Sequence, residues 1–542
     1  MTRSLQRGAF LFWLLLLATF AILHALNLRA DFPNHSPWSV DYAKYTDEGW
    51  YGNAAVRAHL FGNWYLPGDF NPAPAVPVWP FLEWILFFFT GVNIQAARAL
   101  AIFFFGLNLL LGYLLLRVRG SRWMALLALT LVLTSPFLYC FSRLAILEPM
   151  LIAFLLAALN IAVRLGRLRR PVAASAAVGV LFTLMLLTKT SAVFLLPALA
   201  WAIAAALWPN RECVLRCLTC AAGASAATFG AWMALVIRTG HLRDFTYFFF
   251  INTYLKPHQL YWPVISLWWA LHGALWVNRV LMPLAGLLIL GLALSWRSSW
   301  CRKLWRDPVF GASILSVAGY ILFMTYQFHF EPRYFTVVGV FSFFVLALGA
   351  EALLTAHPDP VFADSLNPPA RTKINWPRLC GWAVIAASAV MAVSNGIWTI
   401  EYAAHPEYTW TSAAVALTRY IDQHPNGNRL LVSISGDEIT MMTHLPSLCD
   451  DFGTLDLVSK LARYQPGWWA TWNEIDAGTL EDLHRHYSLE QVASFRAFDD
   501  PDRNVLVLFK LLPLPPSQDR DSSPGLQLQQ PLPGDKIEIE VQ

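Results

Sequence analysis

The chain has 542 residues, of which 56% are hydrophobic and only 14% charged, and its mean hydropathy is +0.46. Soluble domains carry about a quarter charged residues, so an ordinary soluble enzyme is excluded and a membrane protein is indicated. The net charge of +4 is no sign of a nucleic-acid partner, because most Lys and Arg residues cluster in short segments between apolar runs.

The first apolar run, residues 10–28, follows Arg3 and Arg7. Its basic flank is that of a secretory signal, but it exceeds a signal's apolar core and lacks a clear small-residue cleavage site, so it reads as an uncleaved first span. Runs of about 17 to 25 apolar residues, each able to cross roughly 30 Å of hydrocarbon, follow one another, the last ending near residue 399. About eleven spans are expected, within a range of roughly ten to thirteen.

Their flanks give orientation. Arg117, Arg119 and Arg122 follow the second run, and Arg164, Arg167, Arg169 and Arg170 the fourth. Arg211 and Arg216 follow the sixth, Arg297, Arg302, Lys303 and Arg306 the eighth, and Arg371, Lys373 and Arg378 the tenth. Cationic loops stay on the cytoplasmic side, so the N-terminus and every even boundary are expected inside, and the odd boundaries outside.

The first outer loop, residues 30–79, is polar, aromatic and too long for a tight connection. The stretch VWPFLEWILFFFTG at 78–91 is short for a span and reads as an interfacial helix. Short outer loops are expected around Arg143 to Glu148, at Lys189, over 238–263 and over 329–334. After the last span, LLVSIS at 430–435 and NVLVLF at 504–509 read as strands of a small outer α/β domain. Beyond Pro513 the sequence is rich in Pro, Gln, Ser and Asp and cannot form a core. The expected organisation is an α-helical polytopic membrane domain over 1–400, an outer α/β domain over 401–513 and a disordered tail over 514–542. No solenoid repeat is present.

Of the seven cysteines, Cys140, Cys213, Cys217, Cys220, Cys301, Cys380 and Cys449, only Cys449 lies clearly in an outer aqueous domain, so a disulfide framework is not expected. Cys213, Cys217 and Cys220 crowd near an inner boundary, but no His or fourth Cys completes a tetrahedral metal set.

Unusual charges gather in the outer loops. Asp41, Asp47 and Glu48 stand in VDYAKYTDEGWYGNAA; the plain alternative is a solvated acidic loop, or Asp47 capping a helix that begins at Gly49. Arg143 and Glu148 stand in SRLAILEPM at the mouth of a span, where an acid is costly, unless the two form an ion pair. Lys189, in LLTKTSAVFLLP, is a cation on the face where cations are fewer, and snorkelling would also place it there. FHFEPRYF brings His329, Glu331, Arg333 and Tyr334. One His and one Glu are weak evidence for metal, whereas Arg333 suits bidentate phosphate binding or an ion pair with Glu331. Together these residues suit sugar transfer from a lipid phosphate: a carboxylate takes the proton of an incoming hydroxyl while cations stabilise the phosphate leaving group. No G-x-G-x-x-G suggests a nucleotide-binding domain.

The order TDEGWYGNAAVRAHLFGNWYLPGD, a Pro-rich stretch with a short aromatic helix, GVNIQAARAL, SRLAILEPM, TKTSAVFLLP and EPRYF resembles that of the GT-C membrane glycosyltransferases of the protein O-mannosyltransferase and aminoarabinose lipid A transferase type. The resemblance covers about residues 8–400. It implies Asp47 as catalytic base with Glu48 beside it, and Glu148 at the second acidic position, accompanied by Arg143. It also implies Lys189 and Arg333, with Tyr334 beside it, as the holders of the lipid phosphate. The Lys-Pro-Pro element of many relatives stands here as AVPVWP, without its lysine. A polyprenyl-phosphate sugar donor is implied, with its tail between spans, and inverting transfer to a protein, lipid or glycan outside the bacterial inner membrane. Some such enzymes use a divalent metal, for which Asp47 and Glu148 offer oxygen ligands. Other readings of the same sequence are a transporter or flippase of a lipid-linked sugar and a scaffold or sensor acting through the C-terminal domain.

Overall fold

A computed structural model describes residues 3–38, 41–252, 263–356, 375–473, 475, 477–499 and 503–514. The expected tail beyond residue 514, and Arg371 and Lys373, lie outside the described residues.

The chain opens with α1 (Arg3–Ala25), and the long first loop folds into α2 (Asp47–Phe61) and α3 (Val78–Thr90). There follow α4 (Ile94–Leu116), α5 (Arg122–Thr134), α6 (Pro136–Ser142), α7 (Glu148–Ala162), α8 (Pro171–Leu186), α9 (Leu196–Leu207) and α10 (Arg211–Arg238). The short α11 (Leu242–Thr246) precedes α12 (Pro263–Gly273), α13 (Leu281–Leu294), α14 (Ser299–Trp305), α15 (Pro308–Gln327), α16 (Phe335–Thr355) and α17 (Trp376–Ala404).

Local chemistry sets the breaks. Pro136 cannot donate the backbone bond that would continue α5, and the Ser135 side chain accepts from Leu138 N, so α6 starts afresh at 68° to α5. Asp307 caps α15 by accepting from Val309 N at 2.9 Å and Phe310 N at 3.0 Å, with Pro308 in the first turn.

Among the described residues eight helices are long and apolar enough to cross a membrane, or ten if the two bent pairs each count as one span. The bent pairs are Arg122–Thr134 with Pro136–Ser142, and Pro263–Trp276 with Leu281–Leu294. The eleven expected spans are reached only with α8, which at 16 residues falls below the ~20 residues a perpendicular span needs. The central helix is α16: its most apolar window is 83% buried, against 11% for α1 and α10 at the periphery. α3 is 13 residues long, burying Trp79 and Phe87 while Phe81, Phe88 and Phe89 stay exposed. That asymmetry is what an interfacial helix requires.

The C-terminal unit comprises α18 (Thr409–Gln423), α19 (Gly436–Thr443), α20 (Leu457–Tyr464), α21 (Ala477–His484) and a five-stranded sheet. Its strands are β1 (Leu431–Val432), β2 (Ser447–Leu448), β3 (Trp468–Trp472), β4 (Tyr487–Arg496) and β5 (Val505–Pro513), in the order β2-β1-β3-β5-β4. β1 runs parallel to β2 and β3, and β5 antiparallel to β3 and β4. LLVSIS contributes only two strand residues; NVLVLF forms most of β5.

This unit is fastened to the first loop. Arg57 of α2 reaches Asp69 at 2.8 Å and Asp437 of α19 at 2.9 Å, all three buried. Asp31 accepts from Thr411 of α18 at both the backbone N (3.1 Å) and Oγ1 (2.5 Å). Backbone meets backbone where Gly49 lies against Asp437 and Glu438, so closely that a Cβ would fall 2.1 Å from Glu438 N. Glycine is the one residue that allows this approach. The helix that begins at Asp47 is therefore held by the C-terminal unit.

Candidate active site

Asp47 is the first residue of α2, so the helix starts two residues earlier than a cap before Gly49 would require, and Thr46 precedes it without a side-chain capping bond. Its carboxylate is buried and its Oδ2 lies 3.0 Å from Arg333 Nη2. Asp41 caps a 3-10 turn over Tyr42–Lys44 by accepting from Ala43 N at 2.8 Å. It also accepts from the Arg333 backbone N at 2.8 Å and from Arg333 Nη1. Glu331 Oε2 takes the same Nη1 at 3.3 Å, the ion pair considered from sequence. Three carboxylates thus surround one guanidinium, whose buried Nε has no hydrogen-bond partner.

Beside it lies a second pair. Lys189 donates to Glu148, which opens α7, and both are buried. The plain snorkelling reading of Lys189 is thereby replaced: its ammonium turns inward to a carboxylate. Tyr334 joins the two pairs, with Lys189 Nζ 4.5 Å and Arg333 Cζ 4.8 Å from its ring centroid. Cations over an aromatic face are stabilised by its quadrupole. Asp47, Glu148, Lys189, Arg333 and Tyr334, spread over nearly 300 positions, meet in one place.

Glu48 and Arg143 do not join them. Glu48 is fully buried, and Arg98 of α4 binds it through Nε at 2.7 Å and Nη2 at 2.5 Å, while Ala145 N donates to Oε1 at 2.7 Å. Its expected place beside the base is corrected to that of a buried clamp tying α2 to α4. Arg143, expected with Glu148, instead donates to Leu26 O and Asn27 O at 2.6 Å each and stacks 4.6 Å over Tyr139. No Arg143–Glu148 ion pair forms: Glu148 Oε1 takes Lys189, while the Arg143 guanidinium is spent on the Leu26 and Asn27 carbonyls.

Burial pushes the Asp47 carboxyl up, Arg333 pulls it back and Asp41 pushes again, leaving it at about 6. A base poised there is ionised at neutral pH yet able to hold a proton. Of the two residues that offer oxygen ligands to a divalent metal, Asp47 faces Arg333 and Glu148 faces Lys189. Among the described residues no group of three or more His, Cys, Asp or Glu side chains could hold a metal ion, Cys213, Cys217 and Cys220 included.

An apolar cavity of about 670 Å³ lies between α8, α9, α10 and α15. Phe182, Leu199, Phe229 and Phe323 line it, as do Gln327 and the two residues that follow Lys189 in the chain, Thr190 and Ser191.

Comparison with known proteins bears on this arrangement. The family model described as dolichyl-phosphate-mannose-protein mannosyltransferase matches residues 73–238. No curated protein sequence matches the chain. Among solved structures, ArnT from Cupriavidus metallidurans in the apo state superposes with a TM-score of 0.59 at 14% identity, over 92% of this chain and 98% of that one. The same protein bound to undecaprenyl phosphate gives 0.58 at 13% identity over the same shares. The Archaeoglobus fulgidus oligosaccharyltransferase, in complex with Zn and sulfate, gives 0.50 at 13% identity, over 88% of this chain and 72% of that one. The chain has the GT-C fold. The resemblance drawn from motif order and the expected fold class, polytopic helices with a small C-terminal sheet, both stand.

Within this fold, Asp41 and Arg98 are the residues to which the sequence alone assigns no role. Arg98 stands in the GVNIQAARAL motif, but its partner is 50 positions away, and nothing local announces the pair. Asp41 carried a signal, an acid in the same loop as Asp47, without any indication that Arg333 was its partner.

Proposed function

We propose that this chain transfers a sugar from a polyprenyl-phosphate donor to an acceptor hydroxyl at the membrane surface carrying the Asp47 cluster. The observation that carries the reading is the meeting of Asp47, Glu148, Lys189 and Arg333, with Thr190 and Ser191, next to Lys189 in the chain, lining the apolar cavity. A polyprenyl tail fits the cavity chemically, since its lining is almost wholly apolar, and the phosphate then falls beside Lys189 and the unfilled Arg333 Nε.

In this reading the acceptor oxygen attacks the anomeric carbon from the face opposite the phosphate, and Asp47 takes its proton. The bond from that carbon to the phosphate oxygen breaks, the electron pair leaves with the phosphate, and configuration inverts. Lys189 and Arg333 stabilise the charge that develops on the departing phosphate. Glu148 positions Lys189, and Asp41 positions Arg333. The basic boundaries at Arg117, Arg164 and Arg297 support a cytoplasmic position for the opposite end, and with it transfer on the outer face of a bacterial inner membrane. Undecaprenyl phosphate bound to ArnT supports the donor class.

The test is transfer from a defined polyprenyl-phosphate sugar in proteoliposomes, wild type against Asp47→Asn. Transfer by the wild type and its loss in the variant support the reading. Lipid movement with no transfer would instead favour a flippase.

A further inference from the structure

Four carboxylates, Asp41, Asp47, Glu148 and Glu331, share the site with two cations, Arg333 and Lys189. Buried charge is tolerated only when balanced, so two cations cannot hold four ionised carboxylates and protons must be shared. Three of the four are closed off: the side chains of Asp41 and Glu148 are 0% exposed and that of Asp47 2%. Glu331 is where the cluster turns outward. Its Oε2 lies 3.3 Å from Arg333 Nη1 and its Oε1 3.4 Å from His329 Nε2, and the His329 side chain is 31% exposed. Asp47 and Glu331 lie against neighbouring amino groups of one guanidinium.

We infer that Glu331 and His329 form the route by which the proton taken up at Asp47 leaves the site; this rests on the transfer reading above. Transfer leaves Asp47 protonated. Asp47 gives its proton, through a bridging water, to Glu331 Oε2, while the proton on Oε1 passes to His329 Nε2 and His329 releases one to the aqueous phase. One proton enters and one leaves, and Asp47 is again a carboxylate. The groups facing Glu331 are Asp41, Asp47, Arg333, His329, the Tyr42 backbone and the phenols of Tyr42 and Tyr45; Tyr334 faces His329 at 5.8 Å between rings. Burial, with Asp41 adding to it and Arg333 opposing, pushes the Glu331 carboxyl up to about 8, so at neutral pH it carries the proton a relay needs.

The test uses the full-length protein in proteoliposomes with a polyprenyl-phosphate sugar, comparing wild type, His329→Ala, His329→Gln and Glu331→Gln. Both His329 variants are expected to bind donor as the wild type does but to lose kcat by on the order of 100-fold, the low end of an acid–base contribution. Their alkaline pH profile should change. Added imidazole, small enough to enter where His329 was, should restore much of the rate to His329→Ala and none to Asp47→Asn. Wild-type kcat in both His329 variants, or a loss that imidazole leaves untouched with an unchanged pH profile, overturns the relay. A wild type that transfers no sugar, or an active Asp47→Asn, overturns the transfer reading instead, so the two failures are distinguishable.

Discussion

Arg333 reaches Asp47 through Nη2 at 3.0 Å while Asp41 holds its Nη1 and its backbone N. One planar fork thus serves two carboxylates that arrive from one loop, and Glu331 takes a share of Nη1. An ammonium is a point charge and cannot reproduce this geometry. Arg333→Lys is therefore expected to fold but to lose about 2 kcal/mol, the low end for breaking one side of a buried hydrogen-bonded charge pair, or about 30-fold in kcat. Transfer kinetics measured alongside thermal melting separate a chemical loss from a folding one. Wild-type kcat would show that the fork is dispensable.

The pH dependence follows from Asp47. With its carboxyl at about 6, above the ordinary value of 3.8, the group is a carboxylate above that pH and neutral below it. A neutral carboxyl cannot accept the acceptor's proton, so kcat should fall as pH drops through about 6, tenfold per unit at the limit. The measurement is a kcat profile from pH 4.5 to 8 with saturating donor. A limb near 4 would mean that burial does not govern this residue.

Much of this site was legible because the membrane makes charge conspicuous. Lys189 and Glu148 stand among apolar residues, where a charge at that depth needs a reason, and Arg333 stands with His329 and Glu331 just before another apolar run. What the sequence could not do was separate Asp47 from Glu48. Neighbours on a helix point about 100° apart, so one faces Arg333 and the other Arg98, and which is which depends on helices far away in the chain. The same applies to Arg143, whose expected partner Glu148 was claimed by Lys189 from 41 positions further on. The sheet was half visible for a related reason: β1 and β2 have only two residues each, too short for any alternation to register.

Glu48 and Arg98 make a stability prediction rather than a catalytic one. Both are buried, and Arg98 also donates to Leu28 O and Ala30 O, so losing either partner leaves an uncompensated charge inside. Arg98→Met is expected to cost about 3 to 5 kcal/mol, lowering the melting temperature in detergent. In whatever fraction stays folded, kcat should be close to wild type. A large kcat loss without destabilisation would return Glu48 to the chemistry.

The cavity can be tested by filling it. Ala200 lines it, and Ala200→Trp puts an indole where the donor tail is expected. Tail binding is the same in ground and transition states, so KM for the polyprenyl donor should rise, by about tenfold for each ~1.4 kcal/mol lost, with kcat unchanged. A donor with a chain cut to a few isoprene units should be affected less. Equal sensitivity for long and short donors would place the tail elsewhere.

Gly49 tests whether the C-terminal unit supports the site. A Cβ there would lie 2.1 Å from Glu438 N and 2.3 Å from the Asp437 carbonyl carbon, and both are backbone atoms that cannot swing aside. Gly49→Ala must therefore push α19 away from α2 two residues after Asp47. Overpacking of this kind costs about 3 kcal/mol at the upper end of its usual range. Because Asp437 also leaves Arg57 when α19 moves, the buried bridge at 2.9 Å is lost with it. Limited proteolysis should cut the variant between α17 and α18, and transfer should fall even where the membrane domain stays folded. A variant that resists protease like the wild type but transfers no sugar would show that the contact acts on Asp47 without holding the domain. Wild-type behaviour in both assays would mean that α2 is positioned from the membrane side alone.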